Sequence, residues 1–216
     1  MQNTGGHANV AVGHKAMESN TTGEDNVGIG ASALYANTTS SYNTAVGNRA
    51  MQVNTAALNT AVGSLCMFSN TTGTDNTAGG QASLYTNSTG SYNTAVGRYA
   101  LRLNTTGGYN TALGRNALTA NTTASNNTGI GNYALGVNTT GAANVAVGSA
   151  ALYQNSTGHM NTAVGRDALR VNTASDNVAV GGGALYANTT GTYNTCLLYT
   201  SPSPRDRTRS RMPSSA

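Results

Sequence analysis

The residue types that can act as acids, bases or nucleophiles near neutral pH are represented in residues 1–195 by His7, His14, His159 and Cys66. None is joined by a carboxylate or a second nucleophile in an arrangement that recurs along the chain. His7 and His159 occupy the same place in an internal repeat, which favours exposed turn residues, and Cys66 stands where other copies have alanine. The sequence therefore predicts a protein without catalytic residues that is not an enzyme.

Metal and cofactor chemistry is equally sparse. Asp25, Asp75 and Asp176 are too far apart in sequence for a calcium ladder, and the Gly-Gly-x-Gly-x-Asp repeat of calcium-binding β-rolls is absent. No GxGxxG or GxxxxGK phosphate loop occurs. We therefore expect neither a metal nor a cofactor.

Charge also limits the partners. Residues 1–195 carry seven basic and six acidic side chains, so this region is nearly neutral despite the net charge of +4 of the whole chain. No apolar run approaches the ~18 residues that a membrane span needs. We expect no nucleic-acid binding and no membrane contact by this segment.

The dominant feature is an internal repeat that begins with asparagine and returns every 17 residues, with two steps of 16. The first asparagine of each copy falls at Asn9, Asn26, Asn43, Asn59, Asn76, Asn93, Asn110, Asn127, Asn144, Asn161, Asn177 and Asn194. We number the positions of each copy from this residue, so that Asn93–Tyr109 fills positions 1 to 17. A fixed period of this length predicts a solenoid whose coils stack on one another.

Each column of the repeat has a local structural meaning. Asn-Thr/Val-Ala/Gly-Val/Ile-Gly alternates small and branched residues and predicts a short strand closed by a glycine bend. The Ala-Leu/Met pair at positions 8 and 9 predicts a second strand, and Asn-Thr-Thr-Gly at positions 12 to 15 predicts a turn. The expected fold is all-β, a parallel β-solenoid of about eleven coils of 16–17 residues with two short strands per coil. Stacking should bury the Ala, Val and Leu columns.

The asparagines at position 12 should form a structural ladder, because each side-chain amide can donate to one neighbouring copy and accept from the other. The predicted ladder comprises Asn20, Asn37, Asn54, Asn70, Asn87, Asn104, Asn121, Asn138, Asn155, Asn172 and Asn188.

Any binding specificity should lie in the variable columns, which hold every Lys and Arg of residues 1–195 and several aromatic side chains. The candidate recognition surface comprises Tyr35, Tyr85, Arg98, Tyr99, Arg102, Arg115, Tyr153, Arg166, Arg170 and Tyr186. Aromatic stripes in repeats favour packing over ligand binding, and both roles stay open for these tyrosines.

Three regions follow from the composition. Residues 1–8 match the end of a repeat, so we expect a truncated preceding copy, and residues 9–195 form the solenoid array. Residues 196–216 break the pattern and contain all three prolines. The run from Cys196 to Asp206 resembles a translated sequencing-library adapter, as does Ser210–Ala216, so we expect a non-native, disordered tail.

The repeat also resembles a known family. Asn9–Gly13 followed by Ala16, and Asn26–Gly30 followed by Ala33, resemble the Ser-Val-Ala-Ile-Gly signature of YadA-like heads of trimeric autotransporter adhesins. Related repeats occur in phage tail fibres. The resemblance implies a left-handed β-roll, a homotrimer on the cell surface or in a virion tail fibre, and adhesion to a host-surface protein or glycan. The period of 17 is longer than the usual adhesin-head unit.

An ice-binding solenoid is the alternative function. Regular threonines at position 2, such as Thr44, Thr60 and Thr77, could present an ordered face. Valine interrupts that column at Val27 and Val145, which favours the adhesive fibre.

Overall fold

The computed structural model describes residues 4–198, where the regular elements are twelve three-residue strands. They are β1 (Val10–Val12), β2 (Val27–Ile29), β3 (Thr44–Val46), β4 (Thr60–Val62), β5 (Thr77–Gly79), β6 (Thr94–Val96), β7 (Thr111–Leu113), β8 (Thr128–Ile130), β9 (Val145–Val147), β10 (Thr162–Val164), β11 (Val178–Val180) and β12 (Thr195–Leu197). They form one parallel sheet in chain order, each strand pairing in register with the next. The predicted all-β parallel solenoid of about eleven turns is confirmed.

Each strand turns its middle residue inward and its two outer residues outward, as the period-2 geometry of a strand requires. In β6, Ala95 is fully buried, whereas Thr94 is half-buried and Val96 is exposed. The expectation that the Val column would be buried is therefore wrong. Three alternating residues can face either way, and the narrow interior of the coil selects the small residue.

The interior is filled from the opposite side of the coil. Position 9 is Leu or Met in every coil, and its side chains are fully buried from Met17 to Leu169. Alanines at positions 3 and 8 pack against them. The fit is tight, because a Cβ added to Gly28 at position 3 would lie 2.9 Å from Cγ of Met17. Leu and Met at position 9 thus fill most of the core, and positions 3 and 8 have room for little more than alanine.

The predicted second strand at Ala-Leu is wrong, since each coil contains one strand and a turn replaces the other. In the sixth coil Tyr99 and Leu101 both adopt left-handed φ, at 62° and 49°. The Ala100 N–H donates to the Gly97 carbonyl within the coil at 3.2 Å, and the Leu101 N–H donates to Ala117 of the next coil at 3.0 Å. Alternating left-handed residues coil the backbone here while keeping hydrogen bonds between coils.

A glycine directly follows each of the strands β1 to β11, for two physical reasons. Gly97 has φ 135°, which side chains disfavour, and a Cβ there would lie 2.5 Å from the Gly114 carbonyl oxygen. Close approach of successive coils at position 5 therefore requires glycine.

The Asn-Thr-Thr-Gly bend is held by one carbonyl of the following coil. The backbone N–H groups of Ser88, Thr89 and Gly90 all donate to the Thr105 carbonyl, at 2.9, 3.0 and 3.2 Å. The Ser88 hydroxyl donates to the same oxygen at 2.9 Å. Thr or Ser at position 13 thus adds a side-chain bond to most steps of the stack.

The ordered stack crosses the predicted domain boundary at residue 195. Cys196 and Leu197 belong to β12 and pair with Ala179 and Val180 of β11. The remainder of the predicted tail, residues 199–216, and residues 1–3 of the predicted truncated copy lie outside the described residues. No stretch of residues 4–198 forms a helix that could span a membrane.

Candidate functional surfaces

The position-12 asparagines lie one above another and are joined through their side chains. Asn104 donates from Nδ2 to Oδ1 of Asn87 at 2.8 Å, and Asn121 donates in the same way to Asn104. Each amide also donates to a carbonyl of its own bend, as Asn104 does to Gly107 at 2.9 Å. Equivalent side-chain links join the other consecutive members except one pair, at 2.7 to 3.4 Å.

The exception lies between Asn37 and Asn54, in a coil whose bend is one residue shorter. The Asn54 amide donates to the Ala56 carbonyl at 2.7 Å, and Oδ1 of Asn37 is buried without a hydrogen-bond partner. The other short bend, at Asn172, keeps its link to Asn155 at 3.4 Å.

A second ladder, at position 1, is absent from the predicted set of residues. Oδ1 of Asn93 accepts the backbone N–H of Asn110 at 3.0 Å, and Nδ2 of Asn93 donates to the Gly107 carbonyl at 2.9 Å. The Oδ1-to-backbone link recurs between all consecutive members from Asn9 to Asn194. The signal was present in the sequence, because asparagine fills this column in every copy. Both columns are structural, since their amides are buried and committed to the stack.

Four tyrosines of the candidate recognition surface lie partly exposed at position 10, namely Tyr35, Tyr85, Tyr153 and Tyr186. Tyr85 stacks on Phe68 of the preceding coil, with ring centroids 5.2 Å apart and planes 13° from parallel. Lys15 lies 5.8 Å from the centroid of the Tyr35 ring. A separate aromatic column at position 17 is more exposed, and there Tyr92 and Tyr109 stack at 4.8 Å. Most of these contacts join neighbouring coils, so packing is at least part of the aromatic role.

The structure brings Arg98, Tyr99 and Arg102 together with Tyr85. The guanidinium carbon of Arg98 lies 4.5 Å from the Tyr99 ring centroid, and that of Arg102 lies 5.1 Å from the same ring. Arg102 also lies 6.0 Å from the Tyr85 ring. Arg115 is exposed in the next coil at the same position as Arg98.

Four other candidate residues gather around the tenth coil, namely Tyr153, Arg166, Arg170 and Tyr186. Arg170 lies 5.8 Å from the Tyr153 ring and donates to the Tyr186 hydroxyl at 2.7 Å. Both Arg170 and Arg166 pair with Asp167, at 3.4 and 3.1 Å. This second cluster is therefore partly neutralised within the chain.

A shallow cleft of about 240 Å³ opens beside this second cluster, lined by Tyr133, Ala150, Tyr153 and Arg170. Tyr133 and Tyr153 meet edge to face at 5.8 Å. Tyr133 was not among the predicted surface residues, although it occupies the same variable position 7 as Tyr99. Ala150, at that position in the next coil, leaves the space that the cleft occupies.

The titratable residues form no catalytic arrangement within residues 4–198. His7, His14 and His159 are exposed, and Nδ1 of His159 accepts the Ala142 backbone N–H at 3.0 Å. Cys66 is fully buried, and this burial raises its pKa to about 11, although contact with the Ser83 hydroxyl at 3.1 Å acts in the opposite direction. A thiol in this state is protonated and poorly nucleophilic near neutral pH.

No group of three or more His, Cys, Asp or Glu side chains within the described part of the chain could hold a metal ion. No protein-family profile, curated protein or solved structure matches the chain.

Proposed function

We propose that this chain is a non-catalytic, structural and adhesive segment of a cell-surface adhesin or phage tail fibre, assembled as a homotrimer. The observation that carries the proposal is the strand face, by which we mean the outward side chains at positions 2 and 4 of β1 to β12. The resemblance to adhesin-head repeats supplies the number of chains and the location outside the cell or in a virion.

The strand face carries no charge, its position-4 column is apolar, and its position-2 column mixes threonine with valine. Position 4 is Val, Ile or Leu in every strand except at Gly79, and position 2 is Thr or Val throughout. Val12, Val62 and Val96 expose 57%, 48% and 46% of their surfaces. Depletion of charge together with exposed apolar area is typical of the centre of a protein interface.

The size of the face is compatible with an interface and does not by itself distinguish one from a large surface patch of a monomer. Twelve strands at ~4.8 Å spacing give a strip of roughly 50 Å in length, and a width of about 10 Å gives on the order of 500 Å². That area lies near the upper end of the ~300–600 Å² found for the largest apolar patch on a monomer.

A second copy of this chain fits the strand face better than an unrelated partner. Side chains on the face repeat at the strand spacing, so the face of a copy carries the same repeat and can interdigitate along its whole length. A partner without this repeat would match at a few coils only. Association through the strand face leaves the variable positions 6, 7 and 10, beyond the glycine bend, available for adhesion.

Light scattering tests the assembly. The wild-type chain should have the mass of a trimer, and the double substitution Val62→Glu and Val96→Glu should shift it to monomer, because each interface would then bury unpaired carboxylates. The control is Val53→Glu with Val137→Glu, which replaces exposed valines at position 11 and should leave the trimer intact. A monomeric wild-type chain at tens of micromolar, or equal effects of the two pairs, would contradict the assembly.

Ice binding is the second candidate, because threonines at position 2 of β3 to β8 all face outward at the regular strand spacing. Freezing hysteresis separates the two functions. Hysteresis in the wild-type chain, lost on substituting Thr77 and Thr94 by Lys, would favour ice binding, and its absence from a trimeric chain would favour the fibre.

A further inference from the structure

Arg98 and Arg102 contact Tyr99 in the sixth coil, and Arg115 is exposed at position 6 of the seventh coil, the same position as Arg98. We call these four residues the arginine patch. We infer that this patch binds the sulfate or carboxylate groups of an acidic glycan. The inference rests on the proposed adhesive function and names the chemistry of its partner.

The arginine patch lacks a carboxylate. Among residues 4–198, none of its three guanidinium groups forms an ion pair. Arg98 and Arg115 share position 6 in adjacent coils, so their backbones are separated by the ~4.8 Å strand spacing and their charges repel. The second arginine cluster has Asp167 at position 7, where the patch has Tyr99. An external anion would neutralise the charge of the patch, as Asp167 neutralises that of Arg166 and Arg170.

Tyr99 holds two of the guanidinium groups in place. Arg98 and Arg102 both lie over its ring, and Nη2 of Arg98 donates to the Tyr99 hydroxyl at 3.0 Å. Apart from the Arg98 N–H that donates to the Tyr99 hydroxyl, stacking on the ring leaves the N–H groups of these guanidiniums available, and a pair of such groups matches the paired oxygens of a carboxylate or sulfate. The patch is thus preorganised for oxyanions.

The same contacts disfavour a nucleic acid. Single-stranded nucleic acids bind through bases stacked on free aromatic faces. Here Tyr99 lies under two guanidinium groups, and Tyr85 is stacked on Phe68 and approached by Arg102. Three guanidinium groups are also fewer than the roughly 6–10 phosphate contacts of typical DNA-binding proteins. A glycan with charges spaced along its chain needs only these oxyanion contacts.

Binding to immobilised polysaccharides tests the inference. The whole chain should bind dextran sulfate or polygalacturonate at physiological salt and should not bind neutral dextran. The two acidic polymers distinguish sulfate from carboxylate as the preferred group. Substitution of Arg98→Gln with Arg115→Gln should weaken binding by about tenfold, the product of about threefold for each exposed ion pair.

The matched control removes the same formal charge elsewhere. Arg49 is exposed at position 7 of the third coil, and Arg166 is exposed and paired with Asp167, so R49Q with R166Q should change affinity less than twofold. Circular dichroism melting curves should coincide for all three proteins. Equal losses from the two double variants would show that only net charge matters and would overturn the inference.

Two further results would overturn it. One is no binding to either acidic polymer at physiological salt, and the other is tighter binding to single-stranded DNA than to both. Light scattering on the same samples separates this inference from the assembly proposal. A trimer that ignores acidic glycans contradicts only the arginine patch, and a monomer that binds them contradicts only the trimer.

Discussion

The side chain of Asn54 turns away from Asn37, and this is the one place between Asn20 and Asn188 where the position-12 ladder lacks its side-chain link. Asn54 donates to Ala56 two residues on, whereas Asn104 reaches the carbonyl three residues on. The bend Asn54–Leu58 is one residue short, and Oδ1 of Asn37 is left buried without a partner. In both short bends the amide donates to the carbonyl two residues on, but the side-chain link is lost at Asn54 and kept at Asn172.

Restoring the missing residue should restore the link. Inserting one threonine after Thr55 gives the bend the length and sequence pattern of Asn121–Asn126. We expect the free energy of unfolding to rise by about 1 kcal/mol, the net contribution of a buried hydrogen bond, as measured by urea denaturation. The control is the same insertion after Thr122, where the bend is already complete, and it should destabilise the chain. A loss of stability from both insertions would show that bend length does not control the ladder.

Glycine at position 5 should be irreplaceable, whereas glycine one position earlier is not. Gly97→Ala places a Cβ at φ 135° and 2.5 Å from the Gly114 carbonyl oxygen, so we expect destabilisation by at least about 2 kcal/mol. Gly79 lies in β5, and a Cβ there meets nothing closer than the Val96 side chain at 3.7 Å. Gly79→Ala should be neutral or slightly stabilising in thermal unfolding. Equal effects of the two variants would contradict the close approach of coils at position 5.

Much of this fold could be predicted from the sequence, because every copy of the repeat carries the same residue type at the positions that determine stacking and the core. The period set the stacking, asparagine at position 12 indicated buried amides, and Leu or Met at position 9 indicated the core. When asparagine recurs at one position of a repeat it usually forms a ladder of amides, and when leucine or methionine recurs it usually fills the core. The prediction therefore succeeded for columns in which one residue type recurs and has one common structural role.

Two features were hidden for physical reasons. A three-residue strand such as Thr94–Val96 fixes alternation but not which face is inside, and the narrow interior decides that question. The left-handed φ of Leu101 opposes the usual preference of leucine, and contacts within the stack, such as its hydrogen bond to Ala117 and its burial in the core, stabilise it. The arginine patch was also beyond prediction as a unit, because contacts between positions 6, 7 and 10 depend on that unexpected turn.

Two leucines of one coil should differ sharply in their contribution to stability. Leu101 is fully buried in the core, whereas Leu103 exposes 42% of its surface. Leu101→Ala should lower the free energy of unfolding by about 2–5 kcal/mol, and Leu103→Ala by less than about 1 kcal/mol, in urea denaturation. Similar losses would contradict the inward position of the Leu/Met column.

Cys66 should make stability depend on pH in the alkaline range. Burial raises the pKa of its thiol from 9.0 to about 11, so between these values the unfolded chain releases a proton that the folded chain keeps. Rising pH therefore favours the unfolded state, and stability present below pH 9 is progressively lost up to about pH 11. At about 1.4 kcal/mol per pKa unit, the loss attributable to this thiol is about 2–3 kcal/mol.

The measurement compares the wild-type chain with Cys66→Ala in urea at pH 8, 9, 10 and 11 under reducing conditions. Alanine is the residue that most other coils carry at position 8, and the Ser83 hydroxyl keeps its bond to the Gly80 carbonyl at 3.0 Å, so the variant should fold. The difference in stability between the two proteins should be constant up to pH 9 and should then move in favour of the variant. Parallel pH profiles would show that the thiol titrates alike in both states. Cys196 is a second free thiol and is partly exposed, so accessibility of Cys66 would be shown by rapid alkylation at pH 8 of one more thiol in the folded wild-type chain than in the Cys66→Ala variant.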